Sequence, residues 1–202
     1  MPYRVTTAPT VEPVSRADMK LHLRVDYTDD DDLIDDLIAA ARRHVEQRLW
    51  RSLIDQTLEL TLECLPTGNK AIYLPGGPVA SITTFAYVDT DGDNQTLNVS
   101  TDLQQALHSE PPYLVPAYDT VWPSTRQQIA AATITYQAGY GAAATDVPDD
   151  IIAAIKLVAG NLYEDRQNHP TVPIGSVTES TAVDSLLRPY RLSDQRLSAS
   201  VA

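Results

Sequence analysis

The sequence contains a single cysteine, Cys64, among its 202 residues. One cysteine excludes an internal disulfide and cannot supply the ligands of a structural zinc site. Cys64 lies in the segment LELTLECL, where apolar residues alternate, so we expect it to be a small buried hydrophobic residue. A chain of this length can bury a core without covalent or metal cross-links.

Long apolar runs are also missing. The first 18 residues, MPYRVTTAPTVEPVSRAD, contain no apolar stretch of the kind found in signal peptides. No segment approaches the roughly 18 consecutive apolar residues that span a bilayer. We therefore expect a soluble protein that is made inside a cell and has no membrane partner.

Positive charge is scarce. Lysine and arginine total 15 against 27 aspartates and glutamates, a net charge of −12. Such a chain repels phosphate, so duplex binding over a broad surface is not expected. Hydrophobic residues make up 43% and charged residues 21%, which is typical of a globular protein.

Three helices are predicted from the spacing of apolar residues. The first covers residues 15–25 and begins at Ser15, a favourable N-cap. The second, over 30–51, has acids in its first turns and arginines in its second half, which matches the helix macrodipole. Its apolar stripe comprises Leu33, Ile34, Leu37, Ile38, Ala41, Val45 and Leu49. The third covers residues 149–165.

Residues 55–140 have the character of β-structure. TLELTLECL alternates with period two, and AIYLP, ASITTFAYVD and ATITYQAG are rich in β-branched or aromatic residues. The stretch 100–128 contains four prolines and little periodicity, which predicts a long excursion. Helices before and after an antiparallel β region predict an α+β fold rather than a parallel sheet.

Both ends of the chain are predicted to be extended. Pro2, Pro9 and Pro13 disfavour helix over residues 1–14, which we interpret as an extended arm. Residues 170–202 form a mostly polar tail. We therefore predict one domain over residues 15–169, with a helical core and the β region inserted on one side.

The acidic segments do not predict a metal site. The run Asp29–Asp32, with Asp35 and Asp36, lies at a helix start, where consecutive side chains point about 100° apart and do not converge on one ion. The sequence DTDGDN resembles a calcium loop, but its glycine is at the fourth place rather than the sixth. We expect a solvated helix start and a hairpin turn, respectively.

Catalytic motifs are not recognisable either. The four histidines, His22, His44, His108 and His169, show no zinc-protease spacing. Gly175-Ser176 lacks the second glycine of a nucleophile elbow. The pair Gly139 and Gly141 lacks the lysine of a phosphate loop, and we expect a strand end with positive φ there. We predict no catalytic residue, no metal ligand and no cofactor.

The tail contains the compact apolar and basic segment SLLRPYR. Arginine and tyrosine are frequent anchors of protein interfaces. Two interpretations remain open: the segment docks on another chain, or it forms a short helix on its own domain. The polar residues that flank it indicate a tail that contributes little to the core.

Taken in their order along the chain, these segments resemble the head-tail connector (adaptor) proteins of long-tailed phages and related gene-transfer agents. The resemblance is to the longer branch of this family, which has a β insertion. The resemblance runs from about Val11 to Arg191. The matching segments are VEPVSRADMKLHLRVD, DDDDLIDDLIAAARRHVEQRLWRSLI, LPGGPVASITTFAYVDTDG, ITYQAGYG, VPDDIIAAIKLVAGNLYEDR and LLRPYR.

The resemblance implies a structural subunit rather than an enzyme. It implies a dodecameric homo-oligomeric ring below the portal protein, joined on its other side to a neck (stopper) or tail-terminator protein. DNA would pass through the lumen without specific binding, past an acidic wall that does not grip it. The protein would be made in the bacterial host cytoplasm and reside in the virion neck. The portal-docking residues would be Leu186, Leu187, Arg188, Pro189, Tyr190 and Arg191.

The charge polarity of the second helix suggests how such a ring is held. Contacts in a cyclic ring are heterologous, so two different faces of the subunit must be complementary. We hypothesise that acids at the helix start approach arginines of the neighbouring subunit. The acids are Asp31, Asp32, Asp35 and Asp36, and the arginines are Arg42, Arg43 and Arg48. In the simpler interpretation both groups are only solvated and matched to the helix dipole.

Two other classes of protein remain as alternatives. One is a small acidic intracellular protein-binding module. The other is an enzyme whose site is assembled between subunits, which motifs within one chain would not reveal.

Overall fold

The computed structural model describes residues 3–164 and 181–191, which form two compact units. The β unit contains residues 3–9 and 50–140, and the helical unit contains residues 10–49, 141–164 and 181–191. The predicted α+β class with antiparallel sheets is confirmed. Where the sequence predicts one domain over residues 15–169, the chain forms two units because the inserted strands enclose a core of their own.

The helical unit is built on three amphipathic helices: α1 (Arg16–Leu23), α2 (Asp31–Leu49) and α3 (Asp149–Glu164). A short 3-10 helix, Ala144–Asp146, precedes α3. The Ser15 hydroxyl caps α1 by accepting the backbone N–H of Asp18 at 3.1 Å. The buried stripes comprise Met19, Ile34, Ile38, Ala41, Val45, Leu49, Ile151, Ala154, Ile155 and Ala159.

Two of these helices end earlier than the periodicity predicts. The backbone of Arg24 has a φ of 58° and that of Trp50 a φ of 55°, so both residues adopt the left-handed conformation that stops a helix. As a result α1 ends at Leu23 instead of residue 25, and α2 ends at Leu49 instead of residue 51. Residue 165, the predicted end of the third helix, lies outside the described residues.

The larger sheet of the β unit has five antiparallel strands in the order β1-β2-β8-β4-β5. They are β1 (Tyr3–Thr7), β2 (Gln56–Leu62), β4 (Val79–Val88), β5 (Asn94–Leu97) and β8 (Ala132–Ala138). Residues 3–7 of the predicted arm are thus an edge strand, with Tyr3 opposite Leu60. The arm is extended as predicted, and its backbone pairs with β2.

A second antiparallel sheet has three strands in the order β3-β7-β6: β3 (Ile72–Tyr73), β6 (Leu103–Ala106) and β7 (Tyr113–Pro116). The predicted excursion over residues 100–128 therefore contains two strands. The sequence pattern did not predict these strands because prolines interrupt it. Pro116 is the last residue of β7, and the Pro112 carbonyl accepts the backbone N–H of Leu74 at 2.9 Å.

In strands β2 and β8 every second residue is buried and those between are half-buried or exposed, as period two requires. Their inner faces meet Phe85 and Trp122, whose ring centroids are 5.6 Å apart. The Tyr136 hydroxyl is buried in this core and donates to the Pro75 carbonyl at 2.7 Å. Burial raises the pKa of Tyr136 far above its usual value, so the phenol stays neutral.

The expectation of a buried Cys64 is wrong. Strand β2 ends at Leu62, and the thiol of Cys64 is exposed. The alternation LELTLECL continues in sequence beyond the last strand residue, but side chains alternate between faces only while the backbone is pleated.

The predicted turn DTDGDN does connect two antiparallel strands, β4 and β5. A single carboxylate oxygen, Oδ1 of Asp89, accepts the backbone N–H groups of Asp91, Gly92 and Asp93 at 2.9–3.0 Å. The Gln95 side chain, followed by these N–H groups, lowers the pKa of Asp89. The Asp89 side chain organises the turn through hydrogen bonds to the backbone.

The predicted extended tail contains a helix. Residues 181–187 form α4 (Thr181–Leu187), followed by a 3-10 turn, Arg188–Tyr190. The tail becomes helical here because Val183 and Leu187, four residues apart, both find a buried position. Residues 165–180 and 192–202 lie outside the described part of the chain.

Candidate functional site

The segment SLLRPYR folds onto the helical unit through its apolar side chains. Leu187 is fully buried, and Leu186 is half-buried. Helix α4 packs against α3. The expectation that the tail contributes little to the core is therefore wrong for Val183 and Leu187.

Two polar contacts hold the ends of this segment. Arg48 of α2 forms a short ion pair with Asp184 at the first turn of α4. After the helix, the Tyr190 hydroxyl donates to Oδ2 of Asp150 at 3.3 Å. Partial burial, and then the charge of Asp150, raise the pKa of Tyr190. Helix α4 and its turn are thus fastened to both α2 and α3.

Three of the six predicted docking residues remain on the surface. Arg188, Pro189 and Arg191 are exposed, whereas Leu187 is buried within the helical unit. Among the described residues, the structure therefore brings the six together in one helix-turn and divides them into an inward apolar part and an outward basic part.

Four of the seven charges predicted to join neighbouring subunits already have partners in their own chain. Arg16 of α1 pairs with Asp35 and, at 3.4 Å, with Asp31 of α2. Lys20 adds a 2.6 Å contact to Asp31. The Arg16 guanidinium lowers the pKa of Asp35. These pairs hold α1 against the start of α2.

Arg42 is one of the two most enclosed of these charges, together with Arg48. Its Nε donates to Oε2 of Glu12 and its Nη1 to Oε2 of Glu46, both at 2.7 Å. The guanidinium is buried, and its two carboxylate partners offset the loss of hydration. The contact with Glu46 follows i,i+4 spacing and was readable from the sequence. The contact with Glu12 was not, because 30 residues separate the two.

Asp32, Asp36 and Arg43 remain exposed on α2. They follow one another at steps of four and seven residues, close to whole turns of a helix, so they share one stripe. Within the described part of the chain, Arg43 donates only to the carbonyl of Ala39, one turn back, at 3.3 Å. Of the seven charged residues of the predicted interface, these three therefore remain available to a neighbouring subunit.

The glycines of AGYGAA have a structural explanation. A Cβ on Gly139 would lie 2.5 Å from the backbone nitrogen of Asp55, and one on Gly141 would lie 2.2 Å from a carboxylate oxygen of Asp146. The φ of 151° at Gly139 confirms the predicted strand end with positive φ. Both glycines permit close approach of neighbouring chain segments.

No cluster of three histidine, cysteine or acidic side chains that could hold a metal ion lies within residues 3–164 and 181–191. No helix in the same residues is both long and apolar enough to cross a bilayer. His169 lies outside them.

Part of the chain matches a known protein family. The profile of the phage gp6-like head-tail connector protein matches residues 17–108, from α1 to just beyond β6. No curated protein sequence matches the chain.

Solved structures match nearly the whole length. The neck of an empty gene transfer agent (GTA) particle, computed with C6 symmetry, is 21% identical with a TM-score of 0.74. The virion of a native GTA particle is 23% identical with a TM-score of 0.74, and the neck of a native GTA particle, computed with C12 symmetry, is 23% identical with a TM-score of 0.73. Each alignment covers 96% of both chains, which establishes a common fold. The resemblance to head-tail connector proteins is thereby confirmed.

Proposed function

We propose that this protein is a structural head-tail connector (adaptor) subunit of a tailed phage or phage-like particle. The match of residues 17–108 to the connector family carries this proposal, and the shared fold with chains of GTA necks supports it. The protein acts by joining parts of a virion neck and has no catalytic role. It is made in the bacterial host cytoplasm and incorporated into the neck.

In the assembled particle the subunits form a closed homo-oligomeric ring, which we propose is dodecameric. Support comes from the related necks, which were computed with C6 and C12 symmetry. The ring lies below the portal protein, contacts it through the exposed part of residues 186–191, and meets a neck (stopper) or tail-terminator protein on its other side. Electron microscopy of particles tests the proposal: this chain should occupy a ring between portal and tail. Density for it elsewhere in the virion would contradict the connector function.

DNA passes through the ring without being bound by it. Because the chain has a net charge of −12, the isolated protein should show no measurable duplex binding near physiological salt. Fluorescence anisotropy with a labelled duplex measures this directly. A micromolar dissociation constant would show that the lumen holds DNA instead of letting it slide.

We further propose that the exposed stripe on α2 contributes to contacts between subunits, with Asp32 or Asp36 approaching Arg43 of the next copy. An exposed ion pair contributes only about 0–1 kcal/mol, but the contact recurs at every interface of a ring. The double variant Asp32→Lys with Asp36→Lys should therefore reduce ring assembly several-fold at low salt. Adding Arg43→Glu to it should restore part of the loss.

The control for this prediction is Glu63→Lys, an exposed charge change in the β unit that should leave assembly unchanged. Ring formation is measured by mass photometry. If the double variant assembles like the unaltered protein, or if Arg43→Glu deepens the defect, the stripe does not join subunits in this way.

A further inference from the structure

The five-stranded sheet of the β unit has two open edges. In the order β1-β2-β8-β4-β5, the outermost strands are β1 and β5, and each pairs with a single strand among the described residues. The outer side of an edge strand carries backbone N–H and C=O groups that can pair with another chain. Since all four pairings in this sheet are antiparallel, β1 and β5 run in the same direction.

The outer side of β5 is formed by two residues. The backbone N–H of Val88 in β4 donates to the carbonyl of the residue directly before β8 at 2.8 Å. Val88 lies opposite Asn94, and backbone groups alternate in direction along a strand, so Asn94 and Thr96 direct theirs away from β4. Leu97 lies opposite the buried Phe85 and is therefore on the core face. Strand β5 contains no charged residue and no proline, which commonly protect such an edge.

The outer side of β1 is also formed by two residues. The Thr57 carbonyl accepts a side-chain hydrogen bond from β1 at 3.1 Å, so it is directed towards β1. Glu59, two residues further along β2, has the same direction and lies opposite Arg4. The backbone of Arg4 therefore bonds to β2, and the backbone groups of Tyr3 and Val5 are directed away from it.

The side chains of these two residues lie on the core face of the sheet. Tyr3 is opposite Leu60 and Val5 is opposite Leu58, and both leucines are fully buried. Tyr3 nevertheless remains 37% exposed and Val5 49% exposed. The core therefore reaches the open edge at β1 and is incompletely covered there by its own chain.

We infer that β5 of one subunit pairs in parallel with β1 of the next subunit, so that the two sheets join edge to edge. With Thr96 beside Arg4 of the next copy, its N–H donates to the Tyr3 carbonyl and its carbonyl accepts the N–H of Val5. Leu97 and Val5 then lie side by side on one continuous core face. An antiparallel pairing of the same edges would place the core face of one sheet beside the outer face of the other.

This inference rests on the proposed connector function and identifies a contact that could close the ring. Each contact in a cyclic ring joins two different surfaces of the subunit, and the β1 and β5 edges are two such surfaces on one sheet. Neighbours in a twelve-fold ring are rotated by only about 30°, which keeps their strands nearly parallel. The ring symmetry thus requires the same strand direction as the hydrogen-bonding groups and the side-chain faces.

Disulfide cross-linking tests the inference on particles whose only copy of this protein carries Val5→Cys and Leu97→Cys, with the exposed Cys64 replaced by serine. In the parallel pairing these two positions are opposite each other, within the distance that a disulfide spans. Within one chain they lie on opposite edges of the sheet, about four strand spacings apart, which is too far for a disulfide. Oxidation should therefore give covalent oligomers longer than dimers on a denaturing gel.

The matched control is Val5→Cys with Thr96→Cys, which lies next to Leu97 but on the other face and should not cross-link. If necks that contain the Val5→Cys, Leu97→Cys protein show no cross-links, the inference is wrong while the connector function stands. Cross-linked dimers from Val5→Cys alone would show a two-fold pairing of β1 with β1 instead. If the chain is absent from the necks of particles, the connector function itself is wrong.

A backbone variant tests the same contact without a cross-link. Thr96→Pro removes an outward N–H and leaves the bonds between β4 and β5 in place. Its incorporation into necks should fall at least about fivefold, because the lost bond recurs at every interface. Thr96→Val keeps the N–H and should be incorporated normally, and neither variant should lower the thermal unfolding temperature of the isolated chain appreciably. Normal incorporation of Thr96→Pro would contradict the inference.

Discussion

Replacing Gly139 with alanine should destabilise the β unit by about 3 kcal/mol, a large part of the stability of an ordinary domain. The added methyl group would lie 2.5 Å from the nitrogen of Asp55 and 2.6 Å from the carbonyl carbon of Ile54. Both are backbone atoms, so no side-chain rotation relieves the overlap. Relief requires the segment at 54–55 to move away from β8, against the 3.1 Å bond from Tyr140 N–H to the Leu53 carbonyl.

Scanning calorimetry measures this effect, with Gly68→Ala as the matched control. Gly68 also has a positive φ, of 75°, but a Cβ there would meet nothing within 4 Å. The control should therefore show only the backbone strain, about 1 kcal/mol. Equal losses for the two variants would show that close packing at Gly139 is unimportant.

Replacing Arg42 with methionine should destabilise the helical unit by about 2–3 kcal/mol. Methionine keeps most of the buried stem but removes the charge that faces Glu12 and Glu46. Two carboxylates, one of them largely enclosed, would then lose their shared partner. Urea denaturation followed by circular dichroism measures the change in the free energy of unfolding.

Arg43→Met is the matched control, since the neighbouring arginine on the same helix is exposed and should change stability by less than about 0.5 kcal/mol. Combining Arg42→Met with Glu12→Gln and Glu46→Gln should recover part of the loss, because no unpaired charge remains. A triple variant that is less stable than Arg42→Met alone would contradict the explanation by charge pairing.

The outlines of the helices could be predicted because their signals are local. Ile34, Ile38, Ala41, Val45 and Leu49 recur at helical spacing within one continuous segment, and the acids before them mark the helix start. The hairpin at Asp89 was predictable for the same reason, since its hydrogen bonds join residues of one short turn.

The tail was harder to interpret because its sequence is compatible with two outcomes. SLLRPYR can become a helix only where Val183 and Leu187 find apolar neighbours on another part of the chain, and no local pattern reports that. The same limit applies to β1 and β7, whose short segments have weak periodicity and become strands by pairing with distant residues.

The sequence by itself determined the α+β class, the order of its main elements, the acidic character and the likeness to head-tail connectors. These follow from periodicity, composition and the order of segments, which are written along the chain. Only the tertiary structure decided that Arg42 pairs with Glu12 and that Arg16 pairs with Asp31 and Asp35. It also decided that Leu187 is buried while Arg188 and Arg191 are exposed. The physical reason is that charged and apolar side chains interact with the groups that lie near them in space. Residues 15 to 136 positions apart in the sequence become neighbours only after the chain has folded.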